Sequence, residues 1–414
     1  MKAYERFLNY ITFDTQSDEE NPGCPSTAKQ LILAEALEKE LKAIGAADVS
    51  MDSFGYVYAT VPASKGAEDK PVIAFLSHMD TAGEMSGKDV KARIIENYDG
   101  ADIVLNGELG IVTDVKNFPL LKECIGDTLI VTDGTTLLGA DDKAGIAEIM
   151  TAAEKWIADN SASAHDPALA HPEVRVIFSP DEEIGRGMDK VDMEKIGAAC
   201  GYTVDGLGVN EFTYECFNGT AGLVKIRGNA VHPGESFGIM KNASLLAMEF
   251  QSMLPVYENP AATSGRMGFF HLTGMTGSVD TAEMHYILRD HDRSVLEHRK
   301  EVFAKTAELM NLKYGEGTVE VTLKDSYTNM IEYILPDHPE VISAGREALK
   351  EAGLVPNEAP IRGGTDGAEL SSRGLPCPNI SAGGYYCHGA HEFASVEKMD
   401  TIVQVILNIA KRFA

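Results

Sequence analysis

The stretch VIAFLSHMD, residues 72–80, is an apolar run that ends abruptly in a histidine and an aspartate. A short continuous apolar run of this kind fits a strand buried on both faces. Two more stretches repeat the form: VRVIFS at 174–179 runs into PDEE, and YTV at 202–204 runs into Asp205. Between them AGIAEIMTAAEKWIAD at 144–159 has a helical pattern and is preceded by Asp141 and Asp142. Strands alternating with helices predict an α/β layer in which helices cover a largely buried sheet.

The pattern extends to both ends of the chain. From Ser26, STAKQLILAEALEKELKAIG places Leu33, Leu37, Leu41 and Ile44 on one face, with a capping residue before and Gly45 after. Helices are expected again at 340–351 and in TIVQVILNIAKRF at 401–413, where Ile402, Ile406, Ile409 and Phe413 form a stripe. Between 211 and 325 the rhythm changes to strand 223–227, helix 242–254, strands 268–273 and 282–288, helix 293–312 and strand 319–323. That βαββαβ order is the split-βαβ arrangement of a ferredoxin-like domain. It reads as an insertion, giving a discontinuous domain of 1–210 and 326–414 around a domain of 211–325, with hinges near Asn210 and Asp325. Residues 85–132 are too irregular to assign.

Composition excludes several function classes. With 36 Lys and Arg against 63 Asp and Glu, the formal charge of −27 disfavours nucleic acid and anionic membranes as partners. The six cysteines are scattered without a CxxC pair, which fits reduced thiols in a cytoplasm rather than a disulfide framework or thiolate cage. Acids interrupt the first twenty residues and no apolar run reaches ~18, so neither export nor membrane spanning is expected.

The chemistry sits at the strand ends. His78 and Asp80, Glu182 and Glu183, and Asp205 each follow an apolar run, Asp141 and Asp142 precede the long helix, and His388 and His391 lie in SAGGYYCHGAHE. Each group alone has an ordinary explanation, as a loop, a solvated turn or a helix N-terminus. Open α/β sheets bind ligands at the carboxyl ends of their strands, so together these groups point to one crevice. Nitrogen and oxygen donors without sulfur suit zinc, with manganese or cobalt as substitutes. Two such ions can activate a shared water and polarise a carbonyl, which leaves amide hydrolysis in need only of a general base.

These motifs resemble a known family. RFLNYITFDTQS, SHMDTA, LLGADDKAGIAEIMTA, FSPDEEIGRG, YTVDG, NAVHPG, LRDHDR, IRGGTDGAELS and YCHGAHEF, spread over nearly the whole chain, resemble the co-catalytic dizinc metallopeptidases that include carboxypeptidase G2 and succinyl-diaminopimelate desuccinylase. The VHPG, RGGTDG and HGAHE segments resemble its tripeptide aminopeptidase branch. The resemblance implies a zinc-peptidase-like catalytic domain with a mixed central sheet and an inserted lid or dimerisation domain, which allows a homodimer. It implies two zinc ions per chain, one held by His78 and Asp205, the other by Glu183 and His388, with Asp141 bridging both and joined to Asp142 by a cis peptide bond. Glu182 is then the general base, and Asp80 accepts a hydrogen bond from His78; His391 is a supporting residue.

For substrate, the resemblance implies release of the N-terminal residue from short peptides, above all tripeptides. His232 in VHPG is expected to stabilise the tetrahedral oxyanion on closure. Lys241, Arg289 and Arg362 are candidates for holding the peptide carboxylate. The rival readings are a dizinc dipeptidase, a carboxypeptidase, an N-acyl amino acid hydrolase, or a metal-binding relative without turnover. The acid that receives the substrate ammonium group is left open.

Overall fold

The computed structural model describes residues Met1–Ala414 and divides into two compact units: Met1–Tyr214, Tyr333–Ala359 and Thr365–Ala414 form one, Glu215–Glu332 and Pro360–Gly364 the other.

In the first unit the chain runs α1 (Ala3–Tyr10), α2 (Gln30–Ile44), β1 (Ala47–Met51), β2 (Val57–Val61), β3 (Ile73–His78), β4 (Arg93–Ile95), β5 (Ile103–Asn106), β6 (Ile111–Thr113), β7 (Leu129–Val131), α3 (Ala140–Asn160), β8 (Val174–Ser179), α4 (Met193–Ile196), β9 (Cys200–Leu207) and β10 (Phe212–Thr213). The second unit contributes β11 (Asn218–Arg227), α5 (Ala243–Met253), β12 (Phe269–Gly277), β13 (Thr281–Asp290), α6 (Arg293–Tyr314) and β14 (Val319–Tyr327). After α7 (Ile331–Ile334) come α8 (Pro339–Glu351), α9 (Asp366–Ser372), β15 (Asn379–Tyr385), β16 (Phe393–Ser395) and α10 (Val396–Arg412).

The main sheet has the order β1-β2-β8-β3-β9-β15-β16-β7-β4, with β10 paired to β15. Its centre is parallel, β8 to β3 to β9 to β15, and the remaining pairs are antiparallel. Every residue of β3 is buried, as an apolar run between two parallel neighbours requires. Helix α3 packs on β3, β9 and β15, with α1 and α10 against it. From Ala144 to Ala153 it is buried on all sides, the pattern of a core helix. Tyr56, Leu76, Ile177, Met188, Leu370 and Cys377 form a separate apolar cluster of this unit.

Residues 85–132, which the sequence left unassigned, hold four strands: β4 and β7 extend the main sheet, and β5 and β6 pair with each other. They are three or four residues long, too short for periodicity to register. Helix α2 begins at Gln30 rather than at Ser26, because Ser26 gives its backbone N–H and hydroxyl to Asp181 and caps nothing.

The second unit is a four-stranded antiparallel sheet of order β12-β13-β11-β14. Val224, Ile226, Leu246, Phe250, Met284, Tyr286, Phe303 and Met310 make its core. The element order is the βαββαβ read from the sequence, but the limits differ from 211–325. The unit runs from Glu215 to Glu332 and also takes in Pro360–Gly364. Arg362 accounts for that extra segment: it donates to the carbonyls of Gly265 and Met267 and to Thr263 Oγ1, and lies over the rings of Phe217 and Phe269. No helix in the chain is long and apolar enough to cross a membrane.

Gly145 sets the distance between α3 and β9. A Cβ placed there would lie 2.0 Å from the carbonyl oxygen of Val204 and 2.6 Å from Asp142 Oδ1, and the first of these is backbone that cannot swing aside. Gly145→Ala is therefore expected to destabilise the protein by about 3 kcal/mol, the upper end for an overpacked core. Urea unfolding checks this, and an unchanged midpoint would mean that the helix can lift off the sheet at little cost.

Candidate metal centre

The central strands end together, and the chain places polar residues where they end. His78 is the last residue of β3 and pairs in register with Ser179, the last residue of β8. Glu182 and Glu183 form the turn that follows β8, Asp205 lies in the C-terminal half of β9, and His388 follows β15. Asp141 stands at the start of α3, where its backbone angles are not yet helical.

Two three-residue groups result, His78 with Asp141 and Asp205, and Asp141 with Glu183 and His388. In each group the potential ligand atoms lie within 4.8 Å of one another. Asp141 belongs to both, one oxygen to each: Oδ1 is 2.9 Å from His78 Nε2 and Oδ2 is 3.2 Å from His388 Nε2. Asp205 Oδ1 lies 3.5 Å from His78 Nε2, and Glu183 Oε2 lies 3.0 Å from His388 Nε2.

The donor chemistry fits a pair of divalent cations. His78 Nδ1 sits 3.1 Å from the carbonyl of Asp80, which can only accept, so Nδ1 carries a proton. Nε2 then points its lone pair at two carboxylate oxygens, an arrangement that a cation or a second proton must relieve. Glu183 Oε1 is buried without any partner, a costly state that metal ligation would end. No Lys or Arg forms an ion pair with Asp141, Glu182, Glu183 or Asp205. The electrostatics reflect this crowding of acids. Burial, opposed by His388 and His78, pushes Glu183 up to about 7, and burial, opposed by His78, takes Asp205 to about 6. Hydrogen bonds with Asp141 and Glu183 raise His388 to about 11.

Further carboxylates hold the ligands by binding backbone. Asp80 was expected to fix His78; its carboxylate is 3.4 Å from Nδ1, and the closer contact is its carbonyl. That carboxylate also accepts the N–H groups of Glu182 at 2.9 Å and Glu183 at 3.2 Å, so it orients the glutamate turn. Glu392, buried in HGAHE and passed over in the sequence, accepts the N–H groups of Leu138, Gly139, Ala140 and Asp141 at 2.6–3.3 Å. Asp181, in the left-handed region at φ +59°, accepts from Ser26 and from Gln30 Nε2 and ties the turn to the 26–30 segment. Asp142 faces inward: its Oδ2 accepts from Ser77 Oγ and from the N–H of His78, and the peptide joining it to Asp141 is cis.

Glu182 is held at its backbone by Asp80 and belongs to neither ligand group. Burial and the nearby Asp205 and Asp366 raise its carboxyl well above the ordinary range. His391 does not join the ligands; its Nδ1 is 2.9 Å from Thr113 Oγ1 and its ring lies against Phe118. In the second unit His232 is exposed and its Nδ1 accepts the N–H of Gly234. The cations read as carboxylate clamps all have internal partners. Lys241 donates to the carbonyl of Tyr314, and Arg289 stacks on Tyr327 and donates to the carbonyl of Leu288. Arg362 is engaged by the 263–267 segment.

A mixed sheet with an inserted ferredoxin-like unit, and a shared carboxylate between two imidazoles where the central strands end, define a class of metallopeptidase. The model of peptidase family M20/M25/M40 matches residues 134–412, a span that holds Asp141, Glu182, Glu183, Asp205 and His388, and the chain belongs to this family. Within it the chain stands with the peptidases T. It is 48% identical to peptidase T of Caldanaerobacter subterraneus subsp. tengcongensis over 412 residues, covering 100% of this chain and 98% of that one. It is 49% identical to peptidase T of Clostridium novyi over 409 residues, 99% and 98% of the two chains. The fold matches the crystal structure of aminopeptidase PepT from Bacillus cereus with a TM-score of 0.75 at 22% identity, covering 100% and 98%.

Glu392→Gln would turn an amide NH2 toward backbone donors that now meet a carboxylate. It is expected to weaken binding of divalent ions by about 10–100-fold, the usual cost of losing a group that orients a ligand. Calorimetric titration with zinc reads this, and wild-type affinity in the variant would remove Glu392 from the support of Asp141.

Proposed function

We propose that this chain is a metal-dependent aminopeptidase that releases the N-terminal residue from short peptides, tripeptides in particular. The observation that carries the reading is the carboxylate of Asp141, which offers one oxygen to each of two separate ligand groups. The peptidase T relatives and the shared fold with an aminopeptidase support it.

In this reading His78 and Asp205 would hold one ion and Glu183 and His388 the other, with Asp141 available to both. Zinc suits the nitrogen and oxygen donors. Bound there, the ions would supply an activated water and a polarised scissile carbonyl. The chain's own residues do the rest. Glu182 takes a proton from the attacking water on its carboxylate and delivers it to the leaving amine. Its raised pKa suits a group that must hold that proton in between. Asp80 keeps the Glu182 carboxylate aimed by fixing both backbone N–H groups of the turn. The cytoplasm is the proposed place of action, where six free cysteines stay reduced.

Glu182→Ala is expected to lower turnover on an unblocked tripeptide by at least about 10²–10⁴-fold while two metal ions per chain remain by elemental analysis. Loss of metal instead would make Glu182 a ligand rather than a base. On the wild type, free tripeptides should be cleaved well ahead of N-acetylated ones. Preference for the acetylated substrate would replace the aminopeptidase reading with that of an N-acyl amino acid hydrolase.

A further inference from the structure

Asp366 has the environment of a charged group that lacks its partner. It is the first residue of α9, a helix that packs against β9, and it is 8% exposed. Its Oδ2 accepts from Ser179 Oγ at 3.0 Å, and Ser179 is the register partner of His78. Its Oδ1 accepts no hydrogen bond and is not sealed from the surface. The loop after Glu183 closes tightly around it, since a Cβ on Gly187 would lie 2.2 Å from Oδ1 and 2.6 Å from Oδ2.

No cation of the protein answers this carboxylate. The basic side chains beside Gly187 and at the end of α9 are committed elsewhere: Arg186 to the carbonyls of Asp18 and Asn21, and Arg373 to those of Met188 and Val191. Asp366 also lies within the electrostatic reach of His78, Asp205 and Asp80, and it acts on Glu182. Burial, opposed by His78 and the Ser179 hydroxyl, pushes its carboxyl up to about 8. A buried carboxylate without a counter-charge is costly and is relieved by pairing with a cation. A peptide whose scissile bond lies at the ligand groups carries its ammonium group one residue away from that bond.

We propose that Asp366 is the residue that receives the N-terminal ammonium group of the substrate, with Oδ1 as acceptor, and that it selects for unblocked peptides. The assignment rests on the aminopeptidase reading. Ser179 and the bare backbone of Gly187 hold the carboxylate in place. The substrate supplies the charge the protein omits, and an acylated or missing amine leaves the buried acid unpaired.

The test uses a tripeptide analogue whose scissile amide is replaced by a phosphinate, in two forms that differ only in the N-terminal amino group. Their affinities are measured by calorimetry on metal-loaded wild type and Asp366→Asn, with metal content verified. Wild type is expected to favour the amino form by about 10–100-fold, as a charge-assisted hydrogen bond provides. In Asp366→Asn that advantage should fall to a few-fold while the des-amino form binds as before. An amino preference that survives in Asp366→Asn overturns the proposal. So does an equal loss for both forms, which would make Asp366 a prop for the glutamate turn. Asp366→Ala reads the same quantity if Asp366→Asn fails to fold. A wild type that cleaves N-acetylated tripeptides as readily as free ones would defeat the aminopeptidase reading itself, and this inference with it.

Discussion

The site depends on negative charge gathered at the carboxyl ends of the central strands without Lys or Arg side chains to balance it. Asp141, Glu182, Glu183 and Asp205 converge with only His78 and His388 among them, and none forms an ion pair with Lys or Arg. Burying carboxylates in this way is strongly unfavourable unless each is protonated, paired or bound to a cation. The raised values of Glu183 and Asp205 express that cost. The fold tolerates it because α3, β3 and β9 are packed so closely that the groups cannot move apart, with Gly145 leaving no room even for a methyl group.

A second set of carboxylates maintains this geometry without joining the ligand groups. Glu392 gathers four consecutive backbone N–H groups leading into Asp141, Asp80 takes two from the glutamate turn, and Asp181 anchors that turn to Ser26 and Gln30. An ionised carboxylate accepting several N–H groups makes strong, directional bonds. Acids therefore play two distinct parts here: some are left short of partners, and others are satisfied by backbone so that the first kind cannot relax.

The sequence made most of this legible where the signal was periodic or terminal. The runs at 73–78 and 174–179 became β3 and β8 with limits close to those read, because strands buried on both faces are apolar throughout. The insertion showed through its βαββαβ order. What stayed hidden depended on tertiary partners. Ser26 has the form of a helix cap, but Asp181 lies 155 residues away and claims its hydrogen bonds. Strands β4 to β7 are too short to carry a period. Glu392 reads as one more acid beside a histidine, and only the fold shows its oxygens among four N–H groups.

The segment IRGGTDGAELS shows how one motif can serve two ends. Read linearly, its arginine is one candidate for holding the peptide carboxylate. In the structure Pro360–Gly364 belongs to one compact unit and Thr365 onward to the other, so the motif divides between them. Arg362 gives three of its five N–H groups to two carbonyls and a hydroxyl and has its plane covered by two aromatic rings. A guanidinium so engaged would have to give up several bonds to take a ligand carboxylate, which removes much of the gain. Asp366 is in the opposite state, buried and short of a hydrogen bond on one oxygen. Unfilled bonding capacity, rather than charge alone, distinguishes a residue prepared for a ligand from one that fastens the chain, and that capacity belongs to the fold rather than to the motif.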